Sequence, residues 1–175
     1  MMAVVVMGVS GAGKTTVGSA LADRLGAEFI EGDRFHPPEN IAKMSRGEPL
    51  DDADRWPWLD RLGAEVARRG REGRPVVLAC SALKRAYRDR LRRAWPALRF
   101  VYLRGDLELI QSRLAARHGH FMPAGLLESQ FAALEAPAPD EAALTADIRL
   151  PTQELVGDLA SRLADGDRRP AASLA

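Results

Sequence analysis

"AVVVMGVSGAGKTTVGSALADRL", residues 3 to 25, carries three local patterns in one unbroken run. Residues 3 to 7 are apolar throughout and rich in β-branched side chains, as in a strand buried on both faces. From Lys14 the apolar residues Val17, Ala20, Leu21 and Leu25 follow helical spacing, and Gly26 stands where a helix would stop. Between them "GVSGAGKT", residues 8 to 15, fits the pattern G-x-x-x-x-G-K-[ST] through Gly8, Gly13, Lys14 and Thr15. Each residue type has a physical reason. Glycines let the backbone curl so that its amides face phosphate oxygens, Lys14 reaches the β and γ phosphates, and the Thr15 hydroxyl suits Mg²⁺. The helix that follows adds its positive end. A glycine-rich turn matching by chance has no reason to lie between a buried strand and an amphipathic helix. The pattern points to a nucleoside triphosphate and is silent about what is phosphorylated or driven.

Further strands and helices alternate downstream. "AEFI" (27–30), "PVVLAC" (75–80), "RFVYLRG" (99–105) and "ADIRL" (146–150) read as strands. The stretch from 51 reads as a helix with Trp58, Leu62 and Val66 spaced by four and Pro57 in its first turn. "KRAYRDRLRRAW" forms another. A helix capped by Asp106 carries Leu107, Ile110 and Leu114, one spans about 125–135, and the last starts near Thr152 with Leu155, Leu159 and Leu163. This order predicts an α/β fold: one domain over 1–165, with a five-stranded parallel sheet and helices on both faces. Residues 166–175 lack an apolar period and are expected to form a disordered tail. Ligands of such sheets gather beyond the C-terminal strand ends.

"EGDRFHPPENIAKM", residues 31 to 44, follows the second strand and sets Glu31 and Asp33 either side of a glycine. Many ATPases place a magnesium-supporting aspartate at the end of a later strand, but "VVLACS" ends without one. Glu31 and Asp33 are therefore the candidates. With strand two beside strand one or one place removed, one carboxylate can support hydrated Mg²⁺. The other can accept a hydroxyl proton. Two solvated acids in a turn are the alternative.

Composition excludes other classes. With 25 basic and 24 acidic residues the net charge is +1, which gives no field for nonspecific binding of nucleic acid or an anionic membrane. The cluster "RLRR" at 90–93 reads as a solvated helix face. Cys80 is the single cysteine, so no internal disulfide or cysteine cage can form. No apolar run approaches the roughly 18 residues of a membrane span, and "MMAVVVMGVSG" lacks a charged start and cleavage site. A cytoplasmic protein is expected.

Four stretches together resemble a known family: "GVSGAGKTT", "EGDRFHPPENIAKMSRGEPLDDADRWPWL", "CSALKRAYRDRLR" and "RLAARHGHFMPAGLLESQFAALEAP". The chain is similar to the gluconate kinases of the small P-loop kinase group, relatives of shikimate kinase and adenylate kinase, to about residue 165. A shikimate kinase would show a glycine triplet where this chain has "CSALK". The resemblance implies a P-loop kinase three-layer sandwich with a mobile lid at about 117–124. It also implies transfer of phosphate from ATP, with Mg²⁺, to the 6-hydroxyl of D-gluconate, and assembly as a homodimer.

Carried over, the resemblance makes Gly8, Val9, Ser10, Gly11, Ala12, Gly13, Lys14, Thr15 and Thr16 the phosphate loop. Lys14, Asp33 and Arg117 become the catalytic groups. Asp33 would orient and deprotonate the hydroxyl. Many members have Asp at the position of Glu31, and the longer arm keeps the charge. His36 would contact the substrate or pack the loop. Arg55, Lys84 and Arg88 would grip the carboxylate and hydroxyls, since a small anion needs fixed donors. Ser81 would add a hydrogen bond or cap the following helix.

Arg113 and Arg117 lie four apart on one helical face. The resemblance puts the first over the adenine, the second on the phosphates, His120 as a lid contact with substrate, and the loop through Pro151 on the adenine edge. His118 and His120 have no third partner for a metal. Trp56, Trp58 and Trp95 read as packing residues, and Cys80 as structural. Two other readings stay open: a kinase of the same group with another hydroxyl acceptor, and a nucleotide-binding regulatory protein without catalysis.

Overall fold

A computed structural model describes residues 1–116 and 124–167. Five strands form one parallel sheet: β1 (Ala3–Met7), β2 (Glu28–Glu31), β3 (Val76–Ala79), β4 (Arg99–Arg104) and β5 (Leu144–Asp147). Their spatial order is β2-β3-β1-β4-β5, with every neighbouring pair parallel. Seven α-helices connect and cover them: α1 (Lys14–Leu25), α2 (Pro38–Ser45), α3 (Asp52–Arg71), α4 (Arg85–Ala94), α5 (Leu107–Ala115), α6 (Ala124–Ala133) and α7 (Thr152–Asp167).

The period of two along β1 divides the interior into two layers. Ala3, Val5 and Met7 face a cluster with Trp58, Leu59 and Leu62 of α3 and Tyr87 and Leu91 of α4. Val4 and Val6 face the opposite cluster, with Val17 and Leu21 of α1, Ile110 of α5 and Leu155, Leu159 and Leu163 of α7. Both faces of β1 are thus covered, which is why its sequence reads as continuous rather than alternating apolar residues.

The register aligns the strand ends. Val6 sits beside Ala79, and Ala79 beside Glu31. Continuing two residues along each strand brings Gly8, Ser81 and Asp33 to one level at the C-terminal edge. β1 is also where the winding changes direction, because β3 and β2 lie to one side and β4 and β5 to the other.

Several expectations change. Strand two takes the second of its two expected placements, one place removed from strand one with β3 between them, but it ends on Glu31 rather than before it. A helix not expected from sequence, α2, fills Pro38–Ser45, with Pro38 in its first turn. α3 begins at Asp52, and the side chain of Asp51 accepts the Asp54 amide while Asp54 caps back. Pro57 therefore falls in the helix interior, past the first turn. β5 ends at Asp147, so residues 148–150 belong to the following turn. α7 continues to Asp167, into the stretch expected to be a tail.

Arg88 is the largest departure. It is fully buried at the start of α4, with its guanidinium fork on Glu141 at 2.6 and 2.7 Å. Its remaining nitrogen donates to the carbonyls of Ala82, Leu83 and Glu135 at 3.1, 3.1 and 3.0 Å. Arg88 is therefore a structural clamp holding the 135–141 segment against the loop after β3, and it does not line the cleft. Glu141 also accepts from Arg92 and from the Ala138 amide, and its carboxyl is held at about 2, first by the Arg88 hydrogen bonds. That contribution is complete above the ordinary value of 4.5 and is lost as pH falls toward 2. Glu141→Gln leaves the buried guanidinium without a counter-charge. Urea unfolding at pH 7 is expected to show a loss of about 3–5 kcal/mol.

Candidate active site

The cleft lies where the register places it, beyond β1, β2 and β3, with a volume of about 790 Å³. This falls within the usual range for small-molecule sites. Ser10, Lys14, Asp33, His36, Arg55, Ser81 and Lys84 all line it. Of the expected substrate residues among the described residues, only Arg88 is elsewhere.

The loop from Gly8 is shaped by backbone bonds. The Gly8 amide donates to the Ser81 carbonyl at 3.3 Å, which ties the loop to the end of β3, and Ala12 N–H donates to Val9 at 3.2 Å. Gly13 precedes α1 at φ 96°, a left-handed conformation costly for any side chain with a Cβ. No side chain caps α1. Its first amides are thus left facing the place where an anion would bind. Lys14 Nζ folds back onto the Val9 carbonyl at 2.9 Å. Burial pushes its ammonium below the usual lysine range, while Asp33 and Glu31 counter the shift.

The turn after β2 explains the glycine between the two acids. Gly32 opens a 3₁₀ turn, Gly32–Phe35, and a Cβ there would lie 2.3 Å from the Ala79 carbonyl oxygen of β3. The Gly32 carbonyl in turn accepts the buried Trp58 indole N–H at 2.9 Å. This close approach fixes Glu31 and Asp33 relative to the phosphate loop. Thr15 Oγ1 donates to Glu31 Oε2 at 2.6 Å. A hydroxyl and a carboxylate, both hard oxygen donors beside an anion site, fit Mg²⁺. Asp33 lines the cleft with its side chain 73% exposed.

His36 stands behind Asp33. Its ring stacks on Trp58 with centroids 4.1 Å apart, Nδ1 lies 3.2 Å from Asn40 Nδ2, and Nε2 lies 3.9 Å from Asp33 Oδ1. Asn40 is itself held by the Asp54 carbonyl at 2.9 Å, so α2, missed from sequence, is what fixes this histidine. Burial pushes His36 below its ordinary value of 6.5, with Asp33 opposing and Arg55 assisting.

The far wall comes from α3 and α4. Lys84 Nζ donates to Asp52 Oδ1 at 2.7 Å, and Tyr87 OH donates to the same oxygen. Arg55 makes only a long 3.4 Å bond to the Leu50 carbonyl and lies over the Tyr87 ring at 5.6 Å. Among the described residues it has no carboxylate partner. Ser81 does not cap α4, whose N-cap is Lys84 without a side-chain bond. Asp52 and Tyr87 were not singled out from sequence; Asp52 looks like one more acid at a helix start.

Arg113 of α5 donates to the Ile148 carbonyl, and Pro151 accepts the Leu155 amide at the start of α7. Arg113 is thereby tied to the 148–151 turn that leads into α7. Arg117, His118 and His120, and the expected lid, lie outside the described residues. Cys80 is buried and pushed up to about 12 by burial, so its thiol stays protonated. Trp58 is fully buried, and Trp56 sits edge-on to Tyr87. Among the described residues no group of three or more His, Cys, Asp or Glu could hold a metal, and no helix is long and apolar enough to cross a membrane.

The His36 shift has a pH consequence. As pH falls below 6.5 the unfolded chain takes up the imidazole proton before the folded one, so stability declines toward the depressed folded value. His36→Gln is expected to lessen the fall in melting temperature over the pH interval just below 6.5. The check is thermal unfolding followed across that interval.

Comparison with known proteins agrees with the geometry. The AAA domain family matches residues 4–137. The thermosensitive gluconokinase of Escherichia coli K12 is 50% identical over 137 residues, covering 78% of this chain and 73% of its own. A gluconokinase from Sinorhizobium meliloti 1021 superposes with a TM-score of 0.87 at 48% identity, over 94% of this chain and 92% of its own. A sugar kinase from Janibacter sp. HTCC2649 gives 0.90 at 50% identity, over 94% and 95%. A shikimate kinase from Acinetobacter baumannii, at 20% identity and TM-score 0.60, shares the fold. With half of its residues shared over most of its length, and with the phosphate loop, the Glu31–Asp33 turn and the cleft assembled at one sheet edge, the chain belongs to the gluconokinase family of P-loop kinases.

Proposed function

We propose that this protein transfers the γ-phosphoryl group of ATP to the 6-hydroxyl of D-gluconate, giving 6-phosphogluconate and ADP. The observation that carries the reading is the composition of the cleft. Of the three cations that line it among the described residues, Lys14 belongs to the phosphate loop and Lys84 is neutralised by Asp52, which leaves Arg55 to receive an acceptor carboxylate. Asp33 lies in the same cleft, on a different element and beside the phosphate loop. A linear sugar acid held by its carboxylate at Arg55 offers its distal hydroxyl to Asp33.

In this reading Asp33 orients the hydroxyl and accepts its proton. Its exposure keeps the carboxylate available, and the neutral His36 behind it supports the turn without competing for the proton. Lys14 binds the β and γ phosphates. Thr15 would hold Mg²⁺ directly and Glu31 through water; the ion supplies neutralisation of phosphate charge. Arg113 and Pro151 border the adenine. Arg117 completes the phosphate contacts and His120 the substrate contacts, as the family resemblance implies. Lys84 and Ser81 supply donors for the hydroxyls. Homodimeric assembly and a cytoplasmic location belong to the same proposal and rest on the resemblance.

The direct test is ADP release with Mg-ATP and D-gluconate, other aldonic acids, shikimate, or no acceptor. Release is expected with gluconate. Release only with another acceptor would replace the substrate and keep the kinase. Silence throughout with ATP still bound would favour a regulatory nucleotide-binding protein. Asp33→Asn should lower kcat by about 10²–10⁴-fold while the ATP dissociation constant stays near that of the parent. Arg55→Met should raise KM for gluconate about 10–100-fold with a smaller change in kcat.

A further inference from the structure

The wall of the cleft opposite α3 is one face of α6. Leu126, Ser129, Gln130 and Ala133 recur there at helical spacing, and all line the cleft. The wall is pinned at its C-terminal end, where the Glu135 amide donates to the Leu83 carbonyl at 2.9 Å and the Glu135 carboxylate accepts the Arg85 amide at 2.7 Å. Near its middle a single polar side chain reaches across. Gln130 Oε1 accepts the backbone amide of Ser10 at 2.7 Å. Ser10 is the third residue of the phosphate loop and itself lines the cleft.

The bond settles the orientation of the carboxamide. An N–H can donate only to the oxygen, so Oε1 faces the loop and the Nε2 amine is the group left over. Among the described residues Nε2 has no hydrogen-bond partner, although Gln130 lines a cleft otherwise equipped for a polyhydroxylated anion. Leu127, one turn away on the other side of α6, is buried in the core, which holds the helix face in place.

We infer that Gln130 is an acceptor-binding residue, its Oε1 anchored on the phosphate loop through Ser10 and its Nε2 donating to an oxygen of the sugar acid near the reacting end. The inference rests on the kinase reading above. It assigns to α6 a role that Arg55 and Asp33 leave open. Arg55 fixes the charged end and Asp33 the reacting hydroxyl, whereas a neutral donor tied to the phosphate loop sets the acceptor at a defined position relative to the transferring phosphate. Occupancy of the acceptor site and the shape of the loop are then linked through one planar amide group.

Two substitutions separate the donor from the anchor. Gln130→Met removes both, while Gln130→Glu keeps an oxygen for the Ser10 amide and removes the donor. Each is assayed with the acceptor that the parent uses best, and thermal unfolding confirms that each is folded. The ATP dissociation constant is measured for the Met variant without acceptor. KM for the acceptor is expected to rise about tenfold in both variants, with kcat reduced and ATP binding by the Met variant within about threefold of the parent. If the Glu variant keeps the parent's KM, or if the Met variant weakens ATP binding and leaves the acceptor KM unchanged, Gln130 only braces the loop and the inference is overturned. An active parent with two unaffected variants overturns this inference alone. A parent that turns over no acceptor overturns the kinase reading and this inference together.

Discussion

The structure depends on keeping β1 dry on both faces while its last residue opens into a loop that must bind a strongly hydrated anion. Val4, Val5 and Val6 are completely buried between α3 and α4 on one side and α1 and α7 on the other. Three residues past Met7, at Ser10, the chain reaches the cleft, while Val9 and Ala12 stay in the core. Within that step the backbone turns from strand to helix, with Gly13 in the left-handed region and the Gly8 amide tied to Ser81. The hydrophobic burial makes the loop rigid enough to present amides to phosphate before the phosphate arrives, which is what electrostatic preorganisation requires.

The same constraint organises the neighbouring strand ends. Because β3 runs between β1 and β2, the turn after β2 has to pass over the end of β3, and a side chain at Gly32 would strike the Ala79 carbonyl. The turn therefore packs at contact distance, and its two acids are separated in role. Glu31, still in the strand, meets Thr15, while Asp33, in the turn, faces the cleft. Opposing charges on the far wall cancel at Lys84 and Asp52, whereas Arg55 has no carboxylate partner among the described residues. Two positively charged residues twenty-nine positions apart, Arg55 and Lys84, thus differ in their surroundings because of the carboxylate beside one of them.

The fold was legible because its signals are local. A five-residue apolar run, a glycine pattern and helical periodicities identify every strand, and they give the helices except α2, within a few residues. α2 is only eight residues long and follows a proline pair, so its period is too short to separate from a loop. Pro57 misled the reading of α3 because a first-turn placement is the comfortable one. The capping box at Asp51 and Asp54 instead sets the helix start earlier. In the site, Lys14, Thr15, Glu31 and Asp33 were legible from a motif and its neighbouring strand end. Arg88 was not, since a buried structural arginine and a ligand-binding one look alike until Glu141, fifty-three positions away, is seen beside it. Gln130 escaped for the same reason: its partner is an amide 120 positions earlier.

The central proposal is that the phosphoryl group passes to the hydroxyl farthest from the acceptor's carboxylate, with Arg55 holding the carboxylate and Asp33 the hydroxyl in the cleft that both line. The most direct measurement is phosphorus NMR of the product made from ATP and D-gluconate, with proton coupling retained. A phosphate ester on the primary carbon couples to two protons and gives a triplet, which is the predicted result. A doublet, from an ester on a secondary carbon, or inorganic phosphate as the only new signal besides those of ADP, would contradict the account.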